Sequence, residues 1–357
     1  MKIYEERRLK LTENLSGDIA VIIPGSVLAN RSNDTAYPFR QDSNFYYLSG
    51  FNEPDSTLMI ISKSGKTNSI GFVPKKDKLK EIWDGFRYGP DGMKSDFGFN
   101  DAFNNDEIDE LLPDLLDGVS CVYYPFGKVD GFDQKVIKWT KKANSKDRHS
   151  KKMEIADISK VIGNKRLIKD SSEIDIIEKA CKISANAHLE AMKFVKPGMN
   201  ESEVEAFYLY EFAKNGGRFP AYNPIVASGE NACVLHYVEN NQVINDGDLL
   251  LVDAGCEYEM YASDITRTFP ANGKFSDEQL QIYNIVLEAQ KASVDAVRKG
   301  NGVMDPQTIS EKVITEGLID LGIIKGNLEE EHEKGSFKDF YMHKIGHWMG
   351  MDVHDVG

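Results

Sequence analysis

Short apolar runs separated by helix-like stretches organise the first part of this chain. Three such runs, at Ile19–Pro24, Thr57–Ser62 and Val119–Tyr124, have the length of β-strands. Between the second and the third, residues 106–116 mix acidic and apolar side chains as an amphipathic helix does, with a proline in its path. Strands that alternate with helices are typical of α/β domains. We therefore predict an α/β domain over residues 1–168.

The pattern changes near Ser172, where longer amphipathic segments with clear start and stop signals begin. Strand-like segments interrupt these helices, so residues 172–357 should form a second domain of the α+β class. The predicted strands cover residues 223–227, 248–253 and 265–269. Residues 255–261 have the length of a hairpin loop between the last two. The predicted helix starts are Ser172 with Asp175, Asn200 with Glu203, Ser276 with Gln279, and Asp305 with Pro306.

Composition excludes several classes of function. The 357 residues carry 57 acidic and 43 basic side chains, a formal net charge of −14, which disfavours sequence-independent binding to nucleic acid. No apolar run reaches the roughly 18 to 20 residues of a membrane-spanning helix. The first residues lack the apolar centre of a secretion signal. We therefore predict a cytoplasmic protein with neither nucleic acid nor membrane as a partner.

Cysteine usage agrees with a cytoplasmic location, and one lysine-rich stretch has two possible interpretations. A lysine-rich stretch over residues 141–152 either binds an anionic partner or, as is more common, forms a solvated helix end and loop. The cysteines form no CxxC pair and read as reduced thiols. They are Cys121, Cys181, Cys233 and Cys256.

Two aspartates frame the predicted hairpin of the second domain. Asp253 ends the apolar strand that begins at Leu249, and Asp264 begins the next strand. In an antiparallel hairpin the end of one strand faces the start of the next, so the two carboxylates can meet. Adjacent carboxylates repel unless they share a proton or a cation. The pair is either a divalent metal site with oxygen ligands, which suits Mn, Mg or Co, or a pair of turn aspartates.

Histidines favour the metal interpretation. Three of the chain's seven histidines, His343, His347 and His354, fall within its last fifteen residues, among glycines and aromatic residues. His236 lies shortly before the acidic hairpin. A neutral imidazole is a good metal ligand, and a histidine beside a metal can carry protons near neutral pH.

These segments resemble a known peptidase family. The resemblance rests on Ser228-Gly-Glu-Asn with His236, on Val252-Asp-Ala-Gly with Asp264-Ile-Thr-Arg-Thr-Phe-Pro, on His343 with His347-Trp-Met-Gly and Asp352-Val-His, and on the block from Asp34 to Pro54. Together they are similar to the Xaa-Pro aminopeptidases (aminopeptidase P) of the pita-bread group of two-metal peptidases. The resemblance implies an α/β N-terminal domain followed by an α+β pita-bread catalytic domain. The N-terminal block disfavours the shorter methionine aminopeptidases.

The resemblance also implies roles for single residues. Asp253 would bind one metal ion, Asp264 would bridge two, and His347 would bind the second, with manganese as the metal. His236, His343 and His354 would line the site, steady the substrate and move protons. The implied reaction releases the N-terminal residue from peptides with proline in second position.

Asp34 and Trp83 match N-terminal-domain positions that in this family reach the cleft of a neighbouring subunit. By this resemblance the protein would bind peptide substrates as a homo-oligomer.

The family's ligand set includes two further glutamates downstream of the histidine motif, and these are not among the 357 residues. We therefore expect a pita-bread domain that lacks its C-terminal end, with weak or single metal binding and little peptidase activity in the bare chain. Two alternatives stay open. One is a prolidase-type dipeptidase, which shares the fold and the metal ligands. The other is an inactive pita-bread fragment that binds peptides without hydrolysing them.

Overall fold

The computed structural model describes residues 2–145 and 152–357. The chain divides into two compact units, one that runs up to Ile168 together with Gly357, and one over Lys169–Val356. The lysine-rich stretch that begins at Lys141 passes through residues 146–151, which lie outside the described residues.

A mixed six-stranded sheet forms the centre of the first unit, in the order β4-β3-β2-β1-β5-β6. The middle strand β1 pairs antiparallel with β2 and parallel with β5, and all six of its residues are buried. Its run of apolar side chains therefore fits a strand that is covered on both faces. The strands are β1 (Ile19–Pro24), β2 (Thr57–Lys63), β3 (Lys66–Val73), β4 (Asp101–Asn104), β5 (Cys121–Tyr124) and β6 (Glu154–Asp157).

Helices cover this sheet and complete an apolar core. Trp139 is 1% exposed in that core, packed with Leu112 and with Met59 of β2. The predicted α/β class of this part of the chain is confirmed. The helices are α1 (Lys2–Thr12), α2 (Ser43–Ser49), α3 (Lys78–Asp84), α4 (Gly89–Phe97), α5 (Ile108–Leu115), α6 (Phe132–Asn144) and α7 (Ser159–Leu167).

The second unit begins with two long helices, α8 (Ser171–Phe194) and α9 (Glu201–Lys214). The start predicted at Ser172 with Asp175 is wrong by two residues. Asp170 caps α8 by accepting from the backbone N–H of Glu173 (3.1 Å), and the Glu173 carboxylate accepts from the Asp170 N–H (2.9 Å). A glutamate three residues after the cap completes this reciprocal pair, whereas Ser172 only donates its hydroxyl to Asp170.

Two small sheets follow these helices. Strands β8 (Ile225–Ser228), β9 (Leu249–Asp253) and β12 (Thr266–Pro270) form one antiparallel sheet with β9 in the centre. Residues 255–261 are not a plain hairpin loop as predicted. They carry strand β10 (Cys256–Tyr258), which pairs with β7 (Phe219–Pro220) and β11 (Tyr261–Ala262) in the other sheet.

The remainder of the second unit is helical and then irregular. Helices α10 (Asp277–Ala296) and α11 (Asp305–Asp320) begin at or next to the starts predicted at Ser276 and Asp305. A further helix, α12 (Leu328–Lys334), had no predicted start. After a 3₁₀ turn at Ser336–Asp339, residues 340–357 contain neither helix nor strand and carry three of the predicted site histidines. Within the described ranges, no helix is long and apolar enough to cross a lipid bilayer.

Candidate metal centre

The β9–β12 hairpin places Asp253 and Asp264 at the same end of its sheet. Asp253 is the last residue of β9 and pairs with Thr266, the first residue of β12. Asp264 lies two residues before Thr266, and the Ala254 N–H donates to the Ile265 carbonyl (3.1 Å), which continues the pairing past the strand end. The backbone register therefore brings the two carboxylates together.

Gly255 allows the chain to pass close to Asp264. A Cβ atom built on Gly255 would lie 1.8 Å from the carbonyl oxygen of Ser263 and 3.0 Å from the amide nitrogen of Asp264. Atoms cannot approach that closely, so only glycine fits where these two backbone segments meet. The Asp253-Ala-Gly255 sequence thus has a structural reason at this site.

Tyr222 links the two carboxylates. Its hydroxyl lies 2.5 Å from Oδ1 of Asp253 and 2.9 Å from Oδ1 of Asp264. Burial, together with the two neighbouring carboxylates, raises the pKa of Tyr222, so the phenol keeps its proton. Burial also raises the pKa of Asp253, against the hydrogen bond from Tyr222. One phenolic proton can serve only one of the two acceptors, so the arrangement needs a further proton or cation.

His347 reaches the same cluster from the irregular segment. Its Nδ1 lies 2.9 Å from the carbonyl oxygen of Trp348, and its Nε2 lies 3.1 Å from Oδ2 of Asp264. A carbonyl only accepts, so Nδ1 carries the hydrogen and a neutral ring presents the lone pair of Nε2 to the carboxylate. That contact too requires a proton or a metal ion between the two atoms. The ring of His354 stacks on His347 with centroids 4.1 Å apart.

A buried ion pair anchors the segment that carries these two histidines. Lys169 Nζ lies 2.9 Å from Oδ2 of Asp355, and the two side chains are 11% and 1% exposed. The Asp355 N–H donates to the Trp348 carbonyl (3.0 Å), and the Ala262 N–H donates to the Gly350 carbonyl (2.8 Å). The loop around His347 is therefore fixed to the strand that precedes Asp264.

The other two predicted histidines lie outside this cluster. His236 is exposed in a turn after the 3₁₀ helix Gly229–Cys233. His343 is also exposed, with its Nδ1 2.7 Å from the Lys344 carbonyl oxygen. Hydrogen bonds and ring contacts in the described part of the chain do not join either of them to Asp253, Asp264 or His347.

The two residues predicted to reach a neighbouring subunit lie at the surface of the first unit. Asp34 is exposed in the turn between Asn30 and Ala36, which form an isolated β-bridge. Trp83 is 87% exposed on α3, a helix without a buried side chain.

The donor chemistry of the cluster fits a hard divalent cation, because two carboxylates and one imidazole converge where protons are too few for the acceptors. The three side chains supply only part of a coordination sphere. Accordingly, no group of three or more His, Cys, Asp or Glu side chains within residues 2–145 and 152–357 is already arranged to hold an ion. In this structure the Tyr222 hydroxyl lies between the carboxylates instead.

Sequence reasoning missed Tyr222, Lys169 and Asp355. Nothing in the spacing around Tyr222 marks it, because its place depends on the pairing of the short strand β7 with β10. Lys169 and Asp355 are far apart in the chain, and only the tertiary structure brings them together. The acidic residue beside His354 is the one local signal that could have prompted a search for a partner.

Two protein-family models match the chain. Residues 175–357 match metallopeptidase family M24, and residues 4–123 match the N-terminal domain of aminopeptidase P. The chain is 40% identical to the Xaa-Pro aminopeptidase of Haemophilus influenzae, over 99% of this chain and 80% of that protein.

Solved structures give the same result. Aminopeptidase PepP of Pseudomonas aeruginosa matches with a TM-score of 0.96 at 41% identity, covering 99% of this chain and 80% of that one. Zinc-substituted Escherichia coli aminopeptidase P in complex with product matches with a TM-score of 0.97 at 39% identity, covering 100% of this chain and 82% of that one. The predicted combination of an α/β domain with a pita-bread domain is confirmed. The chain belongs to the Xaa-Pro aminopeptidases of metallopeptidase family M24.

Proposed function

We propose that this protein releases the N-terminal residue from peptides that carry proline in second position, in a reaction that requires divalent metal ions. The observation that carries the proposal is the cluster of Asp253, Asp264 and His347, whose acceptor atoms outnumber the available protons. The relatives named above carry the activity in their names, and the match extends over nearly the whole chain.

Asp253, Asp264 and His347 are the proposed metal ligands. We propose two ions, with manganese as the native metal, because carboxylates suit hard divalent ions better than soft ones. When bound, the metal would polarise the scissile carbonyl and make water a stronger nucleophile. These three ligands complete neither ion by themselves, since hard divalent ions take about six ligands each.

The proposed role of His354 follows from its contact with a ligand. Its ring stacks on His347 at the edge of the cluster and is exposed, so it can exchange protons with solvent and substrate. For His236 and His343 we propose contacts with the bound peptide, because both rings are exposed and neither forms a hydrogen bond to Asp253 or Asp264 in the described part of the chain.

The assembly we propose is a homo-oligomer in which Asp34 and Trp83 face a neighbouring copy. Support comes from α3, where Leu79, Ile82 and Trp83 are 74%, 75% and 87% exposed, an apolar surface that a partner would cover. Sedimentation of the W83K variant tests this, because loss of the interface should produce a smaller species, and an unchanged species would contradict it. A cytoplasmic location is proposed from the free cysteines.

Two other functions are alternatives to the proposed one, and the same experiment distinguishes them. A prolidase-type dipeptidase would use the same ligands but would cleave only dipeptides. A domain that binds peptides without hydrolysing them is favoured by one observation, the incomplete set of metal ligands within the described residues.

Substrate selectivity separates these possibilities. The purified chain in Mn²⁺ is given an Xaa-Pro tripeptide, the matched Xaa-Ala tripeptide and an Xaa-Pro dipeptide. We expect any turnover, however slow, to favour the Xaa-Pro tripeptide and to be lost with a chelator or in the D264N variant. Equal cleavage of the Xaa-Ala tripeptide would refute the proposal. Cleavage of the dipeptide alone would indicate a prolidase, and peptide binding without turnover a non-hydrolysing domain.

A further inference from the structure

Within the described residues, the hydroxyl of Tyr222 forms hydrogen bonds to both proposed metal-binding carboxylates. Because its hydroxyl is 2.5 Å from Asp253 Oδ1 and 2.9 Å from Asp264 Oδ1, the two Oδ1 atoms cannot lie further apart than the sum of these distances. Without that hydroxyl, two neighbouring negative charges in a partly buried place would repel each other. The side chain of Asp264 is 24% exposed, so it is in contact with solvent as well as with Tyr222 and His347.

The backbone holds Tyr222 in this position. The preceding strand, Phe219–Pro220, pairs antiparallel with Cys256–Tyr258, and the Ala221 N–H donates to the Gly255 carbonyl (2.8 Å). Gly255 is two residues beyond Asp253, so the segment that carries Tyr222 is bonded directly to the chain that carries the carboxylates. The phenol therefore keeps its place even if one of the aspartates moves.

We propose that Tyr222 is a positioning residue for the metal ion, which holds the carboxylates of Asp253 and Asp264 together before an ion binds. The inference rests on the proposed function, since it takes these two aspartates as metal ligands. Side chains that orient metal ligands raise affinity because the ligands do not have to be reorganised when the ion arrives. The hydroxyl of Tyr222 makes both contacts, so the ring without its hydroxyl would not hold the two carboxylates together.

Mn²⁺ affinity of the 357-residue chain, measured by isothermal titration calorimetry, tests the proposal. The Y222F variant keeps the ring and loses the hydroxyl, and its affinity should fall about 10- to 100-fold. The matched control is Y261F, which also removes a buried tyrosine–carboxylate hydrogen bond in the same unit (Tyr261 to Glu173, 2.9 Å) but none to the proposed ligands. Its affinity should equal that of the unaltered chain.

A spectroscopic readout separates positioning from a purely structural role. Mn²⁺ should change the hydrogen bonding of the Tyr222 phenol, and with it the near-ultraviolet absorption of tyrosine, in the unaltered chain and in Y261F but not in Y222F. If Y222F does not fold, as judged by circular dichroism, the titration of the unaltered chain decides. Absence of a tyrosine signal on saturation with Mn²⁺ overturns the proposal.

The D264N variant makes the two possible failures distinguishable. If D264N loses Mn²⁺ binding while Y222F binds as tightly as the unaltered chain, the role of Tyr222 is refuted and the proposed metal centre stands. If D264N binds like the unaltered chain, or the unaltered chain binds no Mn²⁺, the proposed metal centre fails and the role of Tyr222 fails with it.

Discussion

His188 is a buried histidine, 2% exposed, and both of its ring nitrogens have partners. Nε2 lies 3.1 Å from the carbonyl oxygen of Ala254, and Nδ1 lies 2.9 Å from the hydroxyl of Tyr208. The carbonyl can only accept, so Nε2 carries the hydrogen and Nδ1 accepts from the phenol, which describes a neutral ring. Burial, with a smaller contribution from the nearby charge of Arg267, lowers the pKa of His188 to about 4, against the hydrogen bonds with the backbone of Ala254 and Ile265, which raise it. Because Ala254 follows Asp253, this ring also steadies the strand end that carries a proposed ligand.

The neutral His188 predicts a specific pH dependence of stability. An unfolded histidine titrates near pH 6.5, so between about pH 4 and 6.5 the unfolded chain binds a proton that the folded chain does not. This contribution is fully present above pH 6.5 and is lost as the pH falls to 4, at a cost of about 3 kcal/mol. Urea unfolding from pH 4 to 7 should show a flatter profile for H188Q than for the unaltered chain. The exposed control H236Q should keep the original slope, and an H188Q profile just as steep would contradict the account.

At the scale of elements, the β9–β12 hairpin depends on a close crossing of two backbones. The segment at Gly255 meets the carbonyl of Ser263 so closely that a Cβ atom would lie 1.8 Å away from that oxygen. The two backbone segments are held together by a neighbouring hydrogen bond, in which the Ser263 N–H donates to the Cys256 carbonyl (3.0 Å). The atom that the Cβ would meet is itself a backbone oxygen. Relief by a side-chain movement is therefore impossible.

The G255A variant should lose about 3 kcal/mol of unfolding free energy, since overpacking against backbone forces the chain to shift. G346A is a suitable control because an added Cβ there meets no atom within 4 Å. Urea unfolding of both variants measures the difference. Equal stability of G255A and G346A would show that the hairpin can open at this point without cost.

At the level of helices, local signals predicted the starts at which a capping residue and the residue that bonds back to it lie only three positions apart. Asn200 and Ser276 cap their helices as predicted, each with the expected reciprocal hydrogen bonds to the residue three positions on. The error at Ser172 arose because Asp170 offers the same pattern two residues earlier. Strand β10, within residues 255–261, could not be predicted because its partner strand β7 (Phe219–Pro220) is only two residues long.

At the scale of the whole molecule, family membership could be predicted because its motifs are short and contiguous. The Asp253-to-Asp264 spacing and the histidine segment required no knowledge of the fold. Contacts between distant parts of the chain were not predictable, as Tyr222 and the Lys169–Asp355 ion pair show. If the proposed ligands bind metal, contacts of this kind contribute to metal affinity by holding the ligands in place.

The central claim is that Asp253, Asp264 and His347 bind a divalent metal ion, and bound manganese per chain tests it most directly. Elemental analysis after dialysis against Mn²⁺ should compare the unaltered chain with D264N. Because the three ligands complete neither of the two proposed ions, we expect partial occupancy, about one ion or less per unaltered chain, and close to none in D264N. Equal manganese in the two proteins would contradict the claim, because the ion would then be bound elsewhere.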